Sequence, residues 1–242
     1  MTTAPTPVHP GREEHPSRWV LAAIVAFLLG GVTVALLYEL DVFGSSSTSS
    51  TRGSGVPMTQ SRDVTPFTSI ELAGSNNLVV RVGEEQSVVV KADDNLIDRV
   101  TTQVQSGTLV IGNNGSFSTE SPMSVDVTVP TLDALTLSGS GNIAIDGIEA
   151  ESLKVTLPGR GTLTGNGTAT RLDVTVSGSG VVQFTHVVAT DVQAAVSGSG
   201  TIFVTATKSL DAAVSGSGAI LYAGTPQNVT RSITGSGAIT GS

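Results

Sequence analysis

Cysteine is absent from the 242 residues, which excludes a thiol nucleophile, a disulfide framework and any Cys-ligated zinc or iron–sulfur site. Charge is scarce: only 13% of residues are Asp, Glu, Lys or Arg, and twelve basic against twenty acidic residues leave a formal net charge of −8. Such a chain carries no electrostatic footprint for nucleic acid, and no nucleic-acid partner is expected. Histidine is limited to His9, His15 and His186, with no HExxH and no paired His to hold a metal. Glycine is abundant at 28 residues but does not recur every third position, and proline stands at 10, so collagen is excluded. What remains plentiful is apolar: 39% hydrophobic residues and a mean hydropathy of +0.23 argue for a packed core over disorder.

Part of that apolar content is local. WVLAAIVAFLLGGVTVALLY, Trp19 to Tyr38, is twenty residues without a charge, and a helix of that length spans about 30 Å, the thickness of a bilayer core. Trp19 and Tyr38 stand at its ends, where amphipathic rings prefer the headgroup level. The run is longer than the apolar region of a cleaved signal peptide, so residues 19–40 read as a retained transmembrane helix, a signal anchor. Arg12 and Arg18 precede it, while Glu39 and Asp41 follow. The positive-inside bias therefore places the Pro-rich tail, 1–18, in the cytoplasm and the C-terminal domain outside a single-pass cell membrane. Residues 41–57, including GSSSTSSTRGSG, read as a flexible linker, leaving 58–242 as the extracytoplasmic domain.

A repeat dominates that domain. Aligned on Gly-Ser-Gly-like turns, the units are LTLSGSGNIAI (135–145), VTLPGRGTLTG (155–165), VTVSGSGVVQF (174–184), AAVSGSGTIFV (194–204), AAVSGSGAILY (212–222) and RSITGSGAITG (231–241). The turn glycines are Gly139 and Gly141, Gly159 and Gly161, Gly178 and Gly180, Gly198 and Gly200, Gly216 and Gly218, and Gly235 and Gly237. Successive turns lie 20, 19, 20, 18 and 19 residues apart.

Apolar and polar residues alternate on both sides of each turn, the period of a strand and not of a helix. Leu153/Val155/Leu157 precedes one turn and Leu172/Val174/Val176 the next. After the turns runs the column Ile143, Leu163, Val182, Ile202, Ile220, Ile239, and beside it Ile145, Gly165, Phe184, Val204, Tyr222, Gly241. Each unit thus reads as two short strands joined by a corner, with glycine there to supply φ > 0. About 19 residues is too short for a propeller blade but fits one coil of a parallel β-helix, with inward residues stacked in ladders. Arg231 departs from the repeat, standing where earlier units have Val or Ala; an exposed edge needs such a charge.

Residues 56–130 lack the period but are strand-like: Ser69–Leu72, Leu78–Val82, Ser87–Ala92, Val100–Val104, Thr108–Ile111 and Ser124–Val129. They read as wider coils or a cap continuous with the solenoid. RDVTPFTSIELAGSNNLVVRVGEEQSVVVKADDNLIDRVTTQVQSGTLVI (62–111), then VDVTVPTLDALTLSGSG and the recurrent VSGSG units, resembles the bacterial putative auto-transporter adhesin head GIN domain family over about residues 60–242. The resemblance implies a right-handed β-helical fold and an envelope location. The expected class is therefore all-β, a right-handed parallel β-helix of about 19-residue coils behind one N-terminal transmembrane helix.

That frame offers few candidate catalytic constellations. Asp173 and Asp211 hold equivalent outward positions two coils apart, roughly 10 Å, with Gln193 between them. That separation suits an inverting glycosidase, but solvated strand charges are the simpler account. Asp93, Asp94 and Asp98 could hold Ca²⁺, yet a turn and a solvated helical turn explain them as well. The Gly-Ser-Gly turns form neither a nucleophile elbow nor a Walker loop. No catalytic, cofactor-binding or metal-binding residue is assigned, and no cofactor is expected. The expectation is a non-enzymatic, membrane-anchored adhesion or interaction module whose partners are the membrane and a cell-wall glycan or envelope protein. A polysaccharide-degrading enzyme on the same fold and an envelope sensor are the alternatives.

Overall fold

The computed structural model describes residues 50–242; the expected tail (1–18) and span (19–40) lie outside the described residues. Among the described residues no helix is long and apolar enough to cross a membrane.

The chain begins with β1 (Thr51–Arg52), β2 (Pro57–Ser61), β3 (Ser69–Leu72), β4 (Asn77–Val82) and β5 (Ser87–Asp93). A single 3-10 turn, Ile97–Arg99, leads to β6 (Val100–Gln105), β7 (Thr108–Asn113), β8 (Phe117–Ser118) and β9 (Ser124–Val129). The repeats supply β10 (Ala134–Leu137), β11 (Asn142–Leu157), β12 (Thr162–Val176), β13 (Val181–Val196) and β14 (Thr201–Gly216), then β15 (Ala219–Ala223), β16 (Asn228–Gly235) and β17 (Ala238–Gly241). All but β1 and β8 join one sheet of fifteen strands. The result is a β-solenoid of about five turns, as the period-two pattern and the 19-residue spacing predict.

Register follows the inward columns. Leu78, Ile143, Leu163, Val182, Ile202, Ile220 and Ile239 stand on successive parallel strands as one ladder, and all are buried. A second ladder runs Ile70, Leu135, Val155, Val174, Ala194, Ala212. One detail differs from the two-short-strand expectation. From corner to corner the chain is a single strand of fifteen or sixteen residues in β11 to β14. In β11 the in–out alternation breaks at Asp146–Gly147 and again between Glu149 and Ser152; the pairing with β12 slips register between Ile145 and Ile148 and then resumes. Each coil therefore has a post-corner face (Asn142–Ile145 in β11), a short middle segment, and a pre-corner face (Leu153–Leu157).

The corner glycines are required for space more than for backbone freedom. Only Gly216 and Gly235 of the twelve have φ in the left-handed range, +134° and +113°. At Gly161 a Cβ would sit 1.8 Å from the Gly141 carbonyl oxygen and 2.7 Å from Leu137 Cδ2. Successive corners stack backbone on backbone, and the missing side chain would point into the ladder of the coil before.

The region before the repeats is continuous with the same sheet, because β3 and β4 pair in parallel with β10 and β11. Below them the strands turn antiparallel: β2 with β5, β5 with β9, and β6 with β7. The closing residues of the stretch expected as linker are held here. β1 pairs with β8, and Gly53 N donates to Ser118 O at 2.7 Å.

Candidate functional site

The sequence-predicted carboxylates come first. The register puts Asp173, Gln193 and Asp211 side by side on β12, β13 and β14, with Lys154 next to Asp173 on β11. They project from the pre-corner face and line none of the hollows described below. Asp93 and Asp94 are brought together, but around the chain and not around an empty site. The buried Asp93 carboxylate accepts from Glu120 N at 2.9 Å and Ser121 N at 3.2 Å; the Ser121 side chain first, then the Glu120 amide, hold its pKa below the usual range. Asp94 accepts from Ser54 Oγ, and Asn95 bonds Ser54 N and Arg52 O at 3.0 and 2.9 Å. This cluster latches residues 51–55 onto the domain. Asp98 lies in the 3-10 turn. Among the described residues no group of three or more His, Asp or Glu is arranged to hold a metal.

A groove of about 360 Å³ opens where the irregular base meets the regular coils, lined by Asp133, Glu149, Glu151, Arg171 and Asp191. Asp191 accepts from Ser209 Oγ at 2.6 Å and lies 3.7 Å from Lys208 Nζ. Ser209 first, then Lys208 and Arg171, lower its pKa. A general acid needs a carboxyl held high; Asp191 is held low, as one member of an ion network.

The post-corner face is different in kind. Its first outward column reads Asn77, Asn142, Thr162, Val181, Thr201, Ala219, Ala238, and its second Val79, Ala144, Thr164, Gln183, Phe203, Leu221, Thr240. None of these side chains is charged and none is buried. On the pre-corner face the matching outward columns carry Glu71, Lys154, Asp173 and Asp211. With strands about 4.8 Å apart, the uncharged face extends roughly 29 Å along the stack. Arg81 and Lys91, 3.7 and 2.8 Å from Asp126, border its lower end.

Within it, a hollow of about 450 Å³ is floored by Val79, Ala144 and Thr164 and rimmed by Asn77, Asn142 and Thr162. An adjoining hollow of about 490 Å³ continues past Asp146 and Asn166 to His186. The amides are oriented by neighbouring side chains: Asn142 Nδ2 donates to the Asn77 amide Oδ1 at 3.1 Å, and Asn166 Nδ2 to the Asp146 carboxylate Oδ1 at 3.0 Å. Farther up, Phe203 and Leu221 lie side by side on adjacent strands, beside a small hollow bounded by Thr185 and Thr240. Sequence reasoning passed over this face because it followed the inward columns. The signal was available in the same strings: Phe203 sits between inward Ile202 and Val204, so an aromatic ring must face out.

The family model described as putative auto-transporter adhesin, head GIN domain, matches residues 66–226. A putative adhesin from Bacteroides fragilis NCTC 9343 is similar in structure, with TM-score 0.67, 24% identity, and coverage of 79% of this chain and 99% of that one. A putative adhesin from Parabacteroides distasonis ATCC 8503 follows at TM-score 0.53 and 21% identity, covering 80% and 100%. A putative lipid binding protein from the same strain has TM-score 0.52 and 24% identity, covering 79% and 98%. No curated protein matches.

Proposed function

We propose a function from one premise: the chain belongs to the putative auto-transporter adhesin, head GIN domain family. It is a non-catalytic display domain, anchored in the cell membrane by residues 19–40 and carried outside it. Its ligand is a neutral glycan laid along the post-corner face. One observation carries the reading: two outward columns cross seven strands without a charged side chain, in a protein whose other large face is charged. Amides and hydroxyls match sugar hydroxyls as donors and acceptors, and Phe203 beside Leu221 offers an apolar platform for the C–H face of a ring. The strand spacing of about 4.8 Å is close to the length of one sugar unit, so successive coils meet successive sugars. The carboxylates support binding over cleavage, since Asp173 and Asp211 stand on the pre-corner face and not on this one.

The test is retention. The full chain, kept in detergent, is passed over immobilised neutral and acidic polysaccharide fractions of bacterial envelopes. Retention on neutral fractions, lost in Phe203→Ala but kept in Asp173→Asn, is expected. Retention only on charged fractions, or release of reducing ends lost in Asp173→Asn, overturns the reading.

A further inference from the structure

Among the described residues no coil lies above the upper end of the stack. β16 pairs only with β14, and β17 only with β15, so the outer edges of both strands meet no strand among the described residues. The inward columns nonetheless continue onto β16. Leu210 stands under Val229, Ala212 under Arg231, and Val214 under Ile233. With a coil above them, Leu210 and Val214 are each 2% exposed; with none, Val229 is 38% and Ile233 48% exposed. A hollow of about 500 Å³ opens between the two edges, lined by Tyr222, Val229, Arg231, Ile239 and Gly241. Arg231 lies over the Tyr222 ring, 5.2 Å from its centroid, and touches the Tyr222 hydroxyl. A cation thus occupies an inward column, flanked two residues away on each side by an apolar side chain.

We infer that this edge is a docking site for an extended segment of a partner protein with an acidic residue between two apolar ones, in the pattern apolar–x–acidic–x–apolar. Main-chain pairing along β16 supplies the attachment, as in strand addition to any open sheet edge. The side chains that alternate inward then meet Val229, Arg231 and Ile233. The acid pairs with the guanidinium, and the apolar residues cover the two exposed ones. The pattern reads the same in both directions, so parallel and antiparallel strands each bring the acid to Arg231. A second copy of this chain is a poor occupant. The self-paired register that sets Val229 against Ile233 sets Arg231 against Arg231, and opposed like charges repel. Arg231 therefore rejects the protein's own edge and selects an acidic one. This partner is distinct from the glycan proposed for the post-corner face.

The probes are short synthetic peptides, capped at both ends, with Val-Thr-Asp-Thr-Val or Val-Thr-Lys-Thr-Val at the centre. They are titrated against the full chain in detergent by fluorescence anisotropy. The Asp peptide should bind at least about tenfold tighter than the Lys peptide, the scale of a desolvated charge pair, and Arg231→Glu should reverse that preference. Unchanged cooperative unfolding of the variant confirms its fold. Arg231→Val, with the like charges removed, should self-associate in sedimentation. Binding that ignores peptide charge overturns the proposal. So does an edge that neither binds peptide nor pairs with itself in Arg231→Val.

Discussion

The base of the stack, residues 51–133, and the regular coils above it, 134–242, build one sheet by opposite means. The coils repeat a single solution: a Gly corner, a long bent strand, and an inward ladder. The base solves each position separately, with antiparallel strands, a latch around Asp93, and a polar residue at the corner. The register makes that last contrast direct. Asn77 pairs with Asn142, so Asn76 occupies the level that Gly141, Gly161 and Gly180 occupy above. Asn76 is 1% exposed, and neither its Oδ1 nor its Nδ2 finds a partner among the described residues. A repeating corner must accept a neighbour on both sides, and only glycine does. A corner at the base has a regular coil on one side only, and a side chain fits there at a cost in unsatisfied polarity.

Exchanging the two corners breaks the comparison most severely. Gly161→Asn drives a side chain against the Gly141 carbonyl and Leu137, neither of which can withdraw without opening the stack. We expect a loss of about 4 kcal/mol or more, or no folded product. Asn76→Gly removes two buried polar atoms and leaves a small void, opposing effects that keep stability within about 1 kcal/mol of the parent. Urea denaturation followed by far-UV circular dichroism checks both. Equal losses would mean that the two corners make the same demand, and the contrast between them would fall.

A second exchange lies within the coils. Gly165 stands beside Phe184: a Cβ there would be 2.8 Å from Phe184 Cε1 and 3.1 Å from Ile148 Cδ1. The ring of one coil fills the space left by the glycine of the coil before. Phe184→Ala should cost about 3 kcal/mol. Gly165→Ala should destabilise the parent but stabilise the Phe184→Ala protein, and a double-mutant cycle reads that change of sign. Additive effects would show that the two positions do not share a space.

The base has a pH dependence that the coils do not share in this form. Ser121 and Glu120 lower the pKa of the Asp93 carboxyl in the folded protein. A depressed folded pKa contributes stability that is complete above the unfolded value, about 3.9, and is lost as pH falls through the folded value. Residues 51–55 should therefore stay latched at neutral pH and loosen below about pH 4, while the ladders of β11 to β14 remain closed. Hydrogen exchange at these amides, compared across pH and with Asp93→Ala, checks this. Asp93→Ala should loosen the segment at every pH. Protection of 51–55 that does not change with acid would remove the latch.

The difference between the regions also explains what could be read in advance. Inward ladders follow from period two, and the stacking of coils from the 19-residue spacing, because each signal is local and repeated. Six base strands were placed to within two residues for the same reason. The partners of Asp93 were not legible: Glu120 and Ser121 lie 27 and 28 residues away, and nothing in the string ties them to it. The two bends inside β11 were not legible because each is only a local slip in alternation, at Asp146–Gly147 and near Glu151, the first with a slip in register, and no proline in the string marks either. Arg231 was visible as a departure from the repeat, but its place over Tyr222 needed the register. Phe203 was visible too, since its outward position follows from its neighbours.

The smallest structural effect belongs to the outer face, and it separates the two ends of one column. Val79 lies near the base, next to Asp126 on β9, and Phe203 lies among the coils. Neither supports the ladder, so Val79→Ala and Phe203→Ala should each change stability by less than about 1 kcal/mol. Retention on neutral glycan should fall in Phe203→Ala by roughly tenfold, the worth of one aromatic contact. It should barely change in Val79→Ala, where polar rims and not the floor hold the sugar. If both variants lost retention equally, the ligand would span the whole column and depend on apolar contact throughout. If neither did, the uncharged face would be an outer surface without a ligand, and the regularity of the coils would serve only to hold the stack upright.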